Sequence, residues 1–163
     1  MALDEQEFRA TYEQLFPLAY RVGYRFSGDR QEAEDAAQEA LARAFQRWAR
    51  LRGQPWIAGW VLTTTLNILR KKRPIALPNS DGGALPVDIE SSLDLWAAVR
   101  RLPKRQAQAI VLHYLADLAI EDVATVMGCR EGTAKAHLDR ARKRLAVSIE
   151  PTQTTGREND AAV

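Results

Sequence analysis

IEDVATVMGCREGTAKAHL, residues 120–138, is the stretch that decides the fold. Val123, Met127, Ala134 and Leu138 supply apolar contacts at helical spacing on either side of Gly128. Ala124 is small enough for two helices to approach closely. Gly128, four residues later, stands where a tight turn needs a positive φ that other residues resist. The pattern predicts a helix-turn-helix. In that motif the second helix lies in the DNA major groove, its N-terminal part towards the base edges. Here the second helix begins near Arg130 and carries Glu131, Thr133, Lys135, Ala136, His137, Arg140 and Arg144 on its polar faces. A helical hairpin inside an unrelated bundle has the same punctuation, so the surrounding chain decides between the two.

Working outward, four helices are predicted in the second half, over about 91–101, 104–116, 119–126 and 130–148, with Pro103 at a first-turn position. Residues 130–144 hold six basic side chains (Arg130, Lys135, Arg140, Arg142, Lys143, Arg144) against Glu131 and Asp139. Further back, Pro74 to Glu90, PIALPNSDGGALPVDIE, has three prolines, two adjacent glycines and no apolar period. It reads as a flexible linker. The segment from Pro151 is polar and reads as a disordered tail with no fused regulatory domain.

The first half is helical too. Phe8, Tyr12, Leu15, Phe16, Ala19, Val22 and Phe26 repeat at helical spacing over 5–26. Ser27-Gly28-Asp29 closes that helix, and Asp29 with Glu32 caps the next in a box-like pattern. Residues 30–50 run without Gly or Pro until Gly53-Gln54-Pro55, and a third stretch runs from about Trp56 to Arg73. Thr63-Thr64-Thr65 predicts a kink or short loop within it, because β-branched hydroxyl residues weaken a helix. The reading is all-α: two small helical domains over 1–73 and 91–150, a linker at 74–90 and a tail at 151–163. Domains this small bury only about 60% of their unfolded surface and lean on partners.

Composition excludes several function classes. The 163 residues carry 23 Lys/Arg against 21 Asp/Glu, so charge matters only where it clusters. Residues 1–50 hold seven basic against nine acidic side chains, whereas Arg70-Lys71-Lys72-Arg73 and the 130–144 stretch are basic. Local basic patches on a balanced chain suit an extended anion such as nucleic acid. A single cysteine, Cys129, excludes a disulfide framework, and two histidines, His113 and His137, do not suggest a metal site. No cofactor is expected. The N-terminus lacks a signal-peptide core and no apolar run reaches the roughly 18–20 residues of a membrane span, so a cytoplasmic location without membrane insertion is expected.

Residues 95–146 resemble the promoter-binding C-terminal domain of extracytoplasmic-function (ECF, group IV) sigma factors of bacterial RNA polymerase. The matching pieces are RLPKRQ (101–106), YLADLAIEDVA (114–124), MG (127–128) and GTAKAHLDRARK (132–143). In the first half, AEDAAQEALARAFQRW (33–48) is similar to the family's polymerase-docking helix. Trp60 and Asn67 in GWVLTTTLNILRKKR match its segment that melts and reads the upstream promoter element. The resemblance covers about residues 8–146 and implies a region-2-like domain, then a region-4-like domain.

The resemblance implies that Asp35, Gln38 and Glu39, which share one helix face, bind the clamp coiled coil of core RNA polymerase, whose flap is a further contact. It assigns the minus-ten element to Trp56, Trp60, Asn67, Arg70, Lys71, Lys72 and Arg73. Stacking surface plus positive charge is what an opened strand requires, and Asn67 would hydrogen-bond a flipped base. Trp60 leans towards the core and Trp56 towards DNA. The minus-35 element falls to Arg130, Thr133, Lys135, Ala136, His137, Arg140, Arg142, Lys143 and Arg144, the last three as backbone contacts. Lys71, Ala136, His137 and Asp139 depart from the family pattern, so base preference does not transfer. The implied partners are core polymerase, double-stranded and melted promoter DNA, and an anti-sigma factor. Two other readings stand beside this one: a helix-turn-helix regulator acting without polymerase, and a sigma-like interaction module. No paired-carboxylate, thiol–histidine or phosphate-loop arrangement points to an enzyme.

Overall fold

The computed structural model describes residues 2–72 and 92–146, and every described element is helical. Residue 73, the linker and the tail lie outside the described residues. The N-terminal unit consists of α1 (Ala2–Ser27), α2 (Arg30–Gln46), the single turn α3 (Trp48–Leu51) and α4 (Ile57–Lys72). α2 gives the core an alanine face, with Ala33, Ala36, Ala37, Ala40 and Ala44 all at or near zero exposure. Small side chains let α1 and α4 close on α2 from two sides, which places Leu41 among Leu15, Val22, Phe26, Val61, Leu62 and Leu66. The expected cap is present: Asp29 Oδ1 accepts from the Glu32 amide at 2.9 Å.

Two predicted details change. The 30–50 helix breaks at Arg47, so α2 and α3 are separate elements. The three threonines do not open α4. Thr63, Thr64 and Thr65 donate back to the carbonyls of Gly59, Trp60 and Val61 at 3.0, 2.7 and 2.8 Å, so each hydroxyl is satisfied inside the helix.

The C-terminal unit consists of α5 (Ser92–Arg101), α6 (Lys104–Ile110), a π-helical turn at Val111–Leu115, α7 (Ile120–Met127) and α8 (Glu131–Ala146). Pro103 occupies the N-cap of α6 rather than its first turn. The predicted 104–116 helix is therefore α in its first part and π in its second, closed where Ala116 N–H reaches Val111 O at 3.0 Å. Asp117 follows with φ +54°. Between α7 and α8, Gly128 has φ +66°, and Cys129 N–H closes onto Ala124 O at 3.0 Å. Val123, Ala124, Met127, Ala134 and Leu138 form the buried seam of the helix-turn-helix, joined by Leu102, Leu112 and Leu145.

The two units pack against each other. Trp56 and Ala116 touch both cores, while Trp96 and Val111 of the C-terminal unit are buried with the N-terminal core. Gly59 lies at a close approach between them: a Cβ there would sit 2.6 Å from Leu112 Cδ2 and from Leu118 Cδ1.

Candidate nucleic-acid and polymerase-facing surfaces

Asp35, Gln38 and Glu39 lie together on the exposed face of α2, opposite its alanine seam. Their own neighbours hold them lightly. Gln31 donates to Asp35 at 2.9 Å, Gln38 donates to Glu34 at 3.4 Å, and Glu39 pairs with Arg43. Exposed pairs one turn apart contribute about 0.3–0.5 kcal/mol, so a guanidinium from outside can replace them at little cost.

On α4, Trp60, Thr63, Thr64 and Asn67 line one wall of a cleft of about 480 Å³, whose other wall includes Lys104, Arg105, Gln108 and Met127. Trp60 is half-buried instead of core, with the Arg47 guanidinium 5.9 Å from its ring centre. Trp56 is also half-buried, but against both cores, so its apolar surface is committed to the contact between units. Asn67 Oδ1 accepts from Gln108 Nε2 at 3.1 Å. Arg70 points inward as well: Nη2 donates to Leu102 O at 3.4 Å and the guanidinium lies 5.4 Å from the Phe26 ring centre. Burial lowers its pKa below the usual guanidinium range. Lys71 and Lys72 are exposed, and Arg73 lies outside the described residues.

α8 carries Thr133, Lys135, Arg140 and Lys143 exposed along its outer face, with Arg130 exposed just before it. Ala136, His137 and Arg144 are half-buried. Burial, then Arg105, then Arg140 lower the His137 pKa from 6.5, which favours the neutral ring. Arg142 is engaged by its neighbours at the surface: Nε donates to the Tyr114 hydroxyl at 2.7 Å and Nη1 reaches Asp139 at 3.5 Å. This pairing also accounts for an acidic residue on an otherwise basic helix. The helix and the residue before it thus offer four exposed basic side chains, Arg130, Lys135, Arg140 and Lys143, along about three and a half turns, a surface suited to phosphates flanking a groove.

Gln108, Lys104, Arg105 and Arg47 were not singled out by sequence reasoning, because nothing local shows that α6 and α2 border α4. Gly59, inside a helical stretch, was the available signal, since an interior glycine points to close packing.

Among the described residues no group of acidic, histidine or cysteine side chains is placed to hold a metal, and no helix is long and apolar enough to cross a membrane. Residues 11–74 match the family model for sigma-70 region 2 and residues 92–145 that for sigma-70 region 4. The chain is 33% identical to the ECF RNA polymerase sigma factor SigM of Mycobacterium tuberculosis, covering 87% of this chain and 74% of that protein. It is 29% identical to the RNA polymerase sigma-H factor of Pseudomonas aeruginosa, with 78% of each covered. It is 28% identical to the ECF RNA polymerase sigma factor SigW of Bacillus subtilis, covering 77% and 80%. Among solved structures, it is similar to the sigma factor RpoE in complex with the anti-sigma factor NepR from Bartonella quintana, with a TM-score of 0.63, 26% identity and coverage of 89% and 98%.

Proposed function

Because this chain belongs to the ECF sigma-factor family of RNA polymerase subunits, we propose that its two faces divide the work of promoter recognition as follows. The chain binds core RNA polymerase and directs it to promoters. α2 docks on the clamp through Asp35, Gln38 and Glu39, as charge-assisted contacts to partner arginines. α4 reads the minus-ten element, with Asn67 on the edge of an unstacked base, Trp60 beside it and Lys71 and Lys72 on phosphate. α8 enters the major groove of the minus-35 element, with Thr133, Lys135, Ala136 and His137 nearest the bases and Arg130, Arg140, Lys143 and Arg144 on the backbone. The units correspond to 1–73 and 91–150, joined by 74–90. The chain supplies address and strand opening while the polymerase supplies catalysis, so no catalytic residue is assigned and the site of action is the cytoplasm. An anti-sigma factor that covers these faces is the expected regulator, as NepR is named the anti-sigma factor of the RpoE relative.

One observation carries this reading: segments matching region 2 and region 4 follow each other in one chain, and the first presents an exposed acidic face that a polymerase-independent repressor does not need. The test is reconstitution with core polymerase on a genomic fragment library. Specific initiation should disappear with Asp35→Ala plus Gln38→Ala, and Asn67→Ala should change start-site choice. DNA binding that never supports initiation would leave the independent regulator; polymerase binding without promoter choice would leave the interaction module.

A further inference from the structure

The side of α8 that faces away from the core carries a carboxylate among cations. At about 3.6 residues per turn, the buried seam of Ala134, Leu138, Ala141 and Leu145 turns Gly132, Ala136, Asp139 and Lys143 to the opposite side of the helix. Lys135 and His137 stand to either side of that strip. Asp139 is its one acidic member, and the side chain is 65% exposed. Ala136, one turn back, is too short to hold the helix off a groove floor. A carboxylate turned towards phosphates opposes the binding of every sequence alike, unless a base donates to it.

Its own neighbours position that carboxylate without consuming it. Among the described residues Asp139 accepts from Arg142 alone, Nη1 to Oδ1 at 3.5 Å, and Oδ2 has no partner. Lys135 and Lys143 stand one turn before and after it, and neither pairs with it. Arg142 is fixed from a different element: Nε donates to the Tyr114 hydroxyl at 2.7 Å, and the guanidinium lies 5.6 Å from the Tyr114 ring centre. The guanidinium therefore does not follow the carboxylate when the latter turns. A pair at the long limit of a hydrogen bond, on an exposed surface, gives way readily to a better donor.

We propose that Asp139 is a specificity-determining residue that reads a cytosine of the minus-35 element, accepting from the N4 amino group in the major groove, with Tyr114 and Arg142 as positioning residues. This rests on α8 lying in that groove, as proposed above. The choice of base follows from the chemistry of the edges. A carboxylate only accepts. Guanine shows it O6 and N7, and thymine O4, all of them acceptors that repel it. Adenine offers N6 but sets the N7 acceptor beside it, an arrangement that suits an amide. Cytosine alone presents an amino group with no acceptor next to it in the groove. Discrimination by the lone acidic residue of the strip is thus repulsion from two bases, a mixed edge on the third and a hydrogen bond to the fourth.

The test uses the full chain reconstituted with core polymerase and a promoter library randomised across the minus-35 element, with the transcribed templates sequenced. The unaltered chain should enrich cytosine about tenfold at one position. Asp139→Ala should flatten that position and leave the others as they were. Asp139→Asn should move the same position from cytosine to adenine, whose N6 and N7 an amide matches. Tyr114→Phe keeps the ring but releases Arg142 Nε, and should reduce the cytosine preference at that position alone. Asp139 is a surface side chain, so its variants keep the fold. Asp139→Ala that increases use of every sequence equally, with all preferences intact, would make the carboxylate a repulsive surface charge and overturn the proposal. The placement of α8 is checked apart from it: Lys135→Ala with Lys143→Ala should weaken minus-35-dependent initiation whichever base stands at the Asp139 position. If that double variant has no effect, α8 is not the reader, and the cytosine assignment falls with that placement rather than on its own chemistry.

Discussion

His137 sits where a neutral and a charged ring would do different things. Burial, with Arg105 and Arg140 nearby, favours the uncharged form. Its Nδ1 is shut off from solvent with no hydrogen-bond partner in the described structure. The folded pKa is depressed below 6.5, so any stability linked to the neutral ring is present above 6.5 and is lost as pH falls through the folded value. An NMR titration of the full chain should therefore place the His137 imidazole midpoint below 6.5, and Arg105→Ala should move it upwards. A midpoint at or above 6.5 would remove the argument that this side chain meets DNA as a hydrogen-bonding ring and not as a cation. Gly128 offers a second check at the same scale. Nothing lies within 4 Å of a Cβ added at Gly128, yet its φ is +66°. Gly128→Ala should thus cost about 1–2 kcal/mol from backbone strain alone, read as a lower melting temperature. Gly132→Ala, equally open but with no positive φ, should not destabilise the chain.

At the level of the element, α2 is the helix whose start controls a functional face. Asp29 satisfies the Glu32 amide at 2.9 Å, and Asp35, Gln38 and Glu39 follow within three turns. Asp29→Ala should lower stability by about 1 kcal/mol in urea unfolding; no loss would mean that packing of the alanine face alone sets the first turn. On α8, the hold of Tyr114 on Arg142 makes a separable prediction. Lys135→Ala or Lys143→Ala should reduce the salt dependence of minus-35 binding by about one ion, while Arg142→Ala leaves it nearly unchanged. These elements also show what the sequence makes legible. Caps, glycine turns and apolar seams are local, so Asp29, Gly128 and the Val123–Leu138 seam stand where spacing puts them. The threonine triplet misleads because its hydroxyls can leave the backbone for solvent or bond back to the preceding turn, and local propensity does not choose. The π turn is hidden for a similar reason: apolar spacing over 104–116 does not distinguish an i→i+4 from an i→i+5 ladder. For Arg70 and Arg142 the sequence announces a charge but not the direction of the side chain that carries it. Phe26 and Tyr114, which direct them, are 44 and 28 residues away.

For the whole molecule, the question is whether two units that share core residues behave as two domains. Division of the chain at a proline- and glycine-rich stretch predicts independence, and each unit does own a seam of buried side chains. Yet units of this size bury too little to be robust alone, and here each borrows from the other. Val111 and Trp96 complete the N-terminal core, and Trp56 packs on the C-terminal one. If those shared residues link the two cores, neither can melt without exposing part of the other. The free chain should then unfold in a single calorimetric transition with equal calorimetric and van't Hoff enthalpies. Gly59→Gln, which forces Leu112 and Leu118 away from α4, should split it into two transitions at lower temperatures. Two transitions already in the unaltered chain would show that each seam suffices by itself and that the shared residues add contact without coupling. A single transition retained in Gly59→Gln would place the coupling elsewhere, in Trp96 against the N-terminal core, and Trp96→Ala would then be the substitution that separates them.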